Sequence, residues 1–588
     1  MLDRTQALAE LTAPDSVFAI VDSDRGGGPS GDRSSNHGSG RWREYASAPA
    51  TLRTVFEGTA AFGTADALVH ETGRISYDEQ LRLVAHLARH LAEELGVRKG
   101  DRVAIAMRNH PEWVLAFWAT QVLGAVAVPL NAWWTADELG YALADSGTCV
   151  LVADGERAEL LAAAEEDVVP TSVRAVLVAH PEGPMRPGMT DLSAALTRWS
   201  DPCPLPAAEI APDDDATIIY TSGTTGRSKG AVGTQRNHTT NLHTIQLLQA
   251  VQLARAGVPP EMLTKGMPAF YAAAPDMPRP SALQVYPFFH IAGLVGMYAA
   301  AGQGAKLSLM RRWDTERALQ LIESEHVTSA TMVPTLLRRL LESPARGKYD
   351  LSSLLSLGAG GAPVPPDLVD GVGRMSGRAV SPLNGYGTTE TTSAVVANSG
   401  EEYYAHPDSV GRPVPVVDVA VVDPATGREV ARGETGELRF RGPHIARGYW
   451  NRPEESASCF PDGWFRTGDL GYVDGDGLVY VVDRLKDVII RGGENVYSAE
   501  VEAVLFEHPA VADVAVVGVP HRELGEEVAA VVETQPGAVV SAAELRGHVA
   551  RRLAAFKVPT IVRFSERPLP RNAVGKVLKR ELREMLTL

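Results

Sequence analysis

Thr217-Ile218-Ile219-Tyr220-Thr221-Ser222-Gly223-Thr224-Thr225-Gly226-Arg227-Ser228-Lys229-Gly230 decides how the rest of the chain is read. An apolar strand over 217–220 runs into a loop of glycines and hydroxyls that closes on a lysine. Glycines let the backbone approach an oxyanion closely. Hydroxyls and amides then donate to phosphate oxygens, and Lys229 adds positive charge. The GxxxxGK[ST] spacing of a Walker A loop is absent, so this is a phosphate cradle of another kind.

Upstream of the loop, strands and helices alternate. Ile75-Ser76-Tyr77 predicts a short strand, and Asp78 a helix cap, with Leu81, Val84, Leu87, Ala88, Leu91 and Leu95 on one helix face. Lys99-Gly100-Asp101 is a turn. A buried strand over 102–107, a helix over 111–123 and a strand over 125–129 follow. The apolar run from Val114 to Leu130 holds Thr120, Gln121, Gly124 and Pro129 and is short for a bilayer. It reads as a buried helix turning into a buried strand, with no membrane span. The alternation persists to about residue 400 and implies parallel sheets covered by helices.

Downstream of Gly411 the texture becomes β-rich. Asp474-Gly475-Asp476-Gly477 predicts a hairpin turn and lacks the longer, Glu-closed loop of a calcium site. A smaller α/β unit begins near Leu485, with helices expected over 498–507 and 542–553 and strands over 511–519 and 528–533. Two stretches stay irregular. Residues 1–45, Gly/Ser/Asp-rich between Asp22 and Gly40, predict a flexible tail with a short helix near residues 4–12. Residues 251–282, rich in Pro, Met and Ala, predict a surface excursion or a wall of a substrate pocket.

Bulk properties exclude several functions. The 588 residues are too many for one core. The net charge is −16 and no basic stripe is present, so nucleic acid is not a partner. Cys149, Cys203 and Cys459 make no zinc or disulfide pattern, which suits a reducing cytoplasm. Asp3, Arg4, Glu10 and Asp15 interrupt any signal-peptide core.

The loop at 221–230 resembles the phosphate-binding signature of the acyl-CoA synthetase, nonribosomal adenylation-domain and luciferase superfamily. Further motifs follow in the family's order from about residue 50 to 585, with Ser228 standing where the family usually has proline. The resemblance implies an α/β fold. A large N-terminal domain over 46–484, of stacked α/β layers plus a β-rich portion near 400–480, would precede a small mobile C-terminal α+β domain over 485–588. It also implies site roles. Thr221, Ser222, Gly223, Thr224, Thr225, Gly226 and Lys229 would hold ATP phosphates. Gly360, Gly361 and Ala362 would pack against a flat ring or acyl chain. In Asn384-Gly385-Tyr386-Gly387-Thr388-Thr389-Glu390, Tyr386 would stack on adenine, Thr389 contact the α-phosphate and Glu390 hold Mg²⁺. Asp469 and Arg484 would bind the ribose, Lys486 would be the hinge, and Gly492, Gly493 and Glu494 would line the pantetheine tunnel. Lys576 would bridge the substrate carboxylate and the α-phosphate.

The implied reaction uses ATP, Mg²⁺ and coenzyme A to make an acyl-adenylate and then a thioester. The alternatives are delivery to an acyl carrier protein's phosphopantetheine, release of the adenylate, oxygenation of it, and, from another class, an inactive scaffold. Phe289, His290 and Gly358 would border the acyl pocket. Amino-acid-activating relatives usually carry an aspartate where His290 stands, and a buried ammonium without a partner is costly. A plain carboxylic acid, fatty-acid-like or bulky and hydrophobic, is therefore expected. His290 reads equally as a satisfied structural histidine.

Overall fold

The computed structural model describes residues 2–25, 40–164, 168–183, 185, 187–221, 227–274, 277–571 and 577–587. Among them, the strands Arg102–Ala106, Val126–Pro129 and Val150–Asp154 are buried almost throughout, as strands covered on both faces must be. They are the parallel centre of an eight-stranded sheet that runs from Gly448–Tyr449 and Lys229–Thr234 at one edge to Met189–Asp191 at the other. A nine-stranded sheet lies beside it. Its parallel centre holds Ser281–Gln284, Ser329–Met332, Ser356–Gly360 and Ser381–Thr388.

The helix Pro111–Val122 is apolar all round because it is sandwiched. Trp113 to Val122 are all buried, in one core with Val103 and Ile105 of the first sheet and Leu68 and Leu307 of the second. Pro111 at the first helical position and Glu112 in the first turn suit its start. The helix Tyr77–Arg89 begins two residues earlier than Asp78 would set it. Ser76 is the cap, its hydroxyl accepting from the Glu79 N–H at 3.2 Å, after the strand Gly73–Ser76.

The strands Asp418–Val422, Gly436–Arg441, Phe465–Val473 and Val479–Arg484 form an antiparallel sheet. The expected hairpin turn is present: Asp474 Oδ1 accepts from the Asp476 and Leu478 N–H groups at 2.9 Å each. Beyond it, Val511–His521, Gly525–Thr534, Ile489–Arg491, Glu494–Val496 and Ile561–Phe564 make a separate five-stranded sheet. The helices Ser498–Phe506 and Ala542–Ala550 pack on it around Val501, Val514, Val516 and Leu545. The fold is thus α/β, with stacked layers and a β-rich portion followed by a small α+β unit. No helix among the described residues is long and apolar enough to cross a membrane.

The N-terminal stretch departs from the expected detached tail. Arg4–Leu11 is a helix, and Ile20–Arg25 pairs antiparallel with Gly40–Tyr45. Ala7, Leu11 and Phe18 have no exposed surface. They share a core with Val251, Leu263, Met267 and Phe270. The Tyr45 hydroxyl shares a hydrogen bond with Thr244 Oγ1 at 3.0 Å, and Arg4 pairs with Glu402 at 2.6 Å. Each segment is too poor in apolar residues to order alone, but together they bury a common face. Residues 251–282 are correspondingly not irregular: the helix Gln235–Arg255 continues into them, and Pro260–Leu263 and Met267–Ala273 are short helices under the N-terminal helix.

Candidate active site

The strands Asp215–Thr221 and Lys229–Thr234 pair antiparallel, which sets Thr221 opposite Lys229 at the base of the loop. Ser222, Gly223, Thr224, Thr225 and Gly226 lie outside the described residues. The loop's return is held by Tyr141, whose hydroxyl donates to the Ser228 carbonyl at 3.2 Å while the Arg227 guanidinium sits 4.9 Å above its ring. Lys229 Nζ lies 5.4 Å from the ring centre of Tyr449, a residue with no motif around it. The Tyr449 hydroxyl donates to Glu390 Oε1 at 2.7 Å, and burial followed by the Glu390 charge raises the phenol's pKa. Tyr449 reaches this place because its short strand pairs with the returning arm of the loop, Ala231 opposite Tyr449. The loop's lysine and the expected metal carboxylate are thereby brought around one ring.

Glu390 and Thr389 begin a single 3₁₀ turn, Thr389–Thr391, after the strand Ser381–Thr388 that carries Asn384, Gly385, Tyr386, Gly387 and Thr388. Gly387 is obligatory there, since a Cβ would meet the Ser393 carbonyl oxygen at 1.8 Å. The Tyr386 hydroxyl donates to Asp469 Oδ2 at 2.7 Å. Arg484 Nε lies 3.1 Å from Asp469 Oδ1, the two residues facing each other across the ladder of Phe465–Val473 and Val479–Arg484. Burial and the Asp469 charge push the Tyr386 phenol well above its ordinary pKa. Asp469 is almost wholly buried, and among the described residues its Oδ1 accepts no hydrogen bond. That oxygen is ion-paired with Arg484 and keeps lone-pair capacity for a further donor.

On the expected acyl side, Gly358 is buried inside its strand. A Cβ there would meet Leu383 Cβ at 2.9 Å, so its small size is accounted for by the neighbouring strand. The Gly360 carbonyl accepts from the Tyr286 hydroxyl at 2.9 Å, Gly361 adopts φ +77°, and Ala362 follows on the same turn. Tyr286 stacks on His290, with ring centres 6.2 Å apart. His290 caps the helix Ile291–Gln303, its Nδ1 accepting from the Ala292 N–H at 3.3 Å, and burial lowers its pKa to about 4. It is thus a neutral histidine held by its cap bond and by stacking on Tyr286. Phe289 meets Trp133 edge to face at 5.2 Å, and the Arg108 guanidinium lies 5.0 Å over Trp133. Asn109 braces this wall, donating to the Tyr286 carbonyl at 3.1 Å and accepting from the Phe288 N–H at 2.9 Å.

Lys486 is exposed on the link between Val479–Arg484 and the small sheet. Just before it, Asp483 accepts from the Ser498 hydroxyl at 3.0 Å and from the Ala499 N–H at 3.3 Å, tying the link to the first helix of the small unit. Gly492 and Gly493, at φ +60° and +89°, form an exposed turn with Glu494. Lys576 lies outside the described residues. The chain on either side of it closes through a bridge between Arg571 and Val577 and a 2.8 Å bond from the Leu578 N–H to the Pro570 carbonyl.

Residues 55–450 match the AMP-binding enzyme family, and residues 500–576 match the AMP-binding enzyme C-terminal domain. The chain is 39% identical to a feruloyl-CoA synthase of an Amycolatopsis species, over 88% of this chain and 95% of that one. It is 34% identical to a long-chain-fatty-acid–CoA ligase of Mycobacterium tuberculosis, over 87% and 93%. ATP-bound MatB from Rhodopseudomonas palustris superimposes with a TM-score of 0.76 at 31% identity, covering 91% of this chain and 99% of that one.

Proposed function

The chain belongs to the AMP-binding enzyme family, and we propose that the Lys229–Tyr449–Glu390 and Tyr386–Asp469–Arg484 groups are the two ends of its ATP site. The protein is an AMP-forming acid–thiol ligase. It joins a carboxylic acid to the α-phosphate of ATP with loss of pyrophosphate, then passes the acyl group to CoA with release of AMP.

The observation that carries the site assignment is the buried Asp469 carboxylate, held by Tyr386 on Oδ2 and ion-paired with Arg484 on Oδ1, which accepts no aligned hydrogen bond among the described residues. It accepts from a ribose hydroxyl, while Tyr386 and Arg484 hold the carboxylate in place. Lys229 and the loop at 221–226 take the phosphates. Mg²⁺, when bound, draws phosphate oxygens together and offsets their charge, and the Glu390 carboxylate, with one oxygen on Tyr449, suits it as a hard oxygen donor. Thr389 reaches the α-phosphate. Lys576 stabilises the charge that builds where carboxylate and α-phosphate meet. Pivoting at Lys486 then exchanges Lys576 for Gly492, Gly493 and Glu494, so that one pocket serves both half-reactions.

The acid is hydrophobic and lacks an α-ammonium, with aromatic acids preferred over aliphatic ones. Tyr286, Phe289 and Trp133 supply ring faces and edges, and neutral His290 offers an ammonium no counter-charge. The aromatic acid of the feruloyl-CoA synthase relative has this character. The three cysteines are free, which fits a reducing, cytoplasmic setting.

Pyrophosphate release over a panel of acids, with and without CoA, tests the assignment. The expected result is fastest release with cinnamate-type acids and a thioester only when CoA is added. Faster turnover of medium-chain fatty acids would reject the aromatic preference. A thioester formed only on an acyl carrier protein would replace CoA as the acceptor.

A further inference from the structure

Away from the nucleotide groups, His110, Glu112 and His180 converge. One ligand atom from each lies within 4.8 Å of the other two. His180 Nε2 is 3.0 Å from Glu112 Oε2, and the His110 and His180 ring centres are 4.7 Å apart. His70 flanks them, its ring centre 5.7 Å from that of His110. Three separate pieces of chain meet here. His70 ends the strand Asp66–His70 of the nine-stranded sheet and His180 follows Ala175–Ala179 of the eight-stranded sheet. His110 and Glu112 open the helix between the sheets.

We propose that His110, Glu112 and His180 bind one divalent transition-metal ion of the zinc class, which staples the edge of the eight-stranded sheet to the start of the central helix.

His110 occupies a helix cap position without making a cap bond. It is only 7% exposed, and among the described residues its Nδ1 is buried without a partner, as is His70 Nε2. Buried ring nitrogens left without partners are costly unless something accepts their lone pair or hydrogen. Two imidazoles and one carboxylate are a three-residue zinc set that leaves a fourth position for water. Imidazole favours zinc, copper or nickel over magnesium. The local charge allows a dication: Arg157 is paired with Asp154 and Glu156, and Glu71 follows His70 in the chain, with Arg311 as an opposing charge. Ligands about 2.0–2.1 Å from a bound ion lie closer together than the 4.8 Å span of the whole set, although the Glu112–His180 pair is already at 3.0 Å. His180, whose side chain is 46% exposed, is the ligand free to close it. Asn109, which braces Tyr286 and Phe288, precedes His110 directly, so the staple would lie behind the wall assigned to the acyl pocket.

The test uses the full chain, freed of metal by a chelator and kept in excess Mg²⁺. Zn²⁺ is titrated by calorimetry, Co²⁺ by its visible absorption, and Tm is recorded with and without Zn²⁺. One Zn²⁺ per chain, tetrahedral Co²⁺ bands and a Tm rise are expected. All three should be lost in His180→Ala, a change at an exposed position that leaves the fold intact, and in the Glu112→Gln/His180→Ala pair. No binding by the native chain overturns the proposal, and so does equal affinity in both variants.

Discussion

The nucleotide site and the N-terminal cap are both assembled from residues far apart in the chain, yet their chemistry is opposite. At the nucleotide site, polar and charged groups in contiguous motifs meet through short directional contacts, such as Tyr386 on Asp469 at 2.7 Å and Tyr449 on Glu390 at 2.7 Å. In the cap, Ala7, Leu11 and Phe18 meet Val251, Leu263 and Phe270 mainly through apolar burial, with Arg4–Glu402 and Tyr45–Thr244 as its polar contacts. The helix Gln235–Arg255 touches both regions, following the phosphate hairpin directly and ending under the cap. The difference teaches that one chain separates what holds it folded from what makes it react. Substitutions should therefore divide cleanly between stability and turnover.

The largest expected effect is on stability. Phe18→Ala should cost about 3–5 kcal/mol, as for a fully buried aromatic. Denaturant unfolding measures this, and pyrophosphate release per folded molecule should stay constant. If release falls along with stability, cap and site are coupled and the contrast fails. Lys576→Ala sharpens it from the other side. Acid-dependent pyrophosphate release should drop about 10²–10³-fold, with the unfolding midpoint unchanged. Asp469→Asn removes a buried charge that holds Tyr386 and Arg484. It should raise the KM for ATP by about 10–100-fold, the range of a charge-assisted hydrogen bond, and leave the KM for the acid alone. The smallest effect belongs to Tyr449→Phe, which keeps the ring beside Lys229 and loses only the bond to Glu390. A change of about 1 kcal/mol, near fivefold in the Mg²⁺ concentration needed for half-maximal rate, is expected. An effect on unfolding instead of on Mg²⁺ dependence would make Tyr449 a member of the core.

Elements whose signal is local were legible beforehand. The hairpin at Asp474–Gly477, the helix after Pro111 and the buried parallel strands each follow from spacing within a few residues. Tyr449, Tyr286, Asn109 and Trp133 carried no such signal. They are single residues in unremarkable surroundings, and they reach the site only through strand pairing, a carbonyl contact or a ring contact. The cap was illegible for another reason. Its apolar residues are too widely spaced for any periodicity to emerge, and their partners lie more than 200 positions away. His290 shows a signal that points two ways, since one side chain both caps a helix and stacks on Tyr286.

The sequence carried most of the order of strands and helices, because that rests on residues adjacent or a turn apart, and it carried the kind of reaction through motifs that resemble a known family. Only the tertiary contacts bring Lys229 and Glu390 to Tyr449, clamp Asp469 between Tyr386 and Arg484, and pack Ala7, Leu11 and Phe18 into the fold. The reason is physical. Backbone geometry repeats over a few residues and leaves its period in the chain. A contact across hundreds of residues depends on which faces the packed layers bring together.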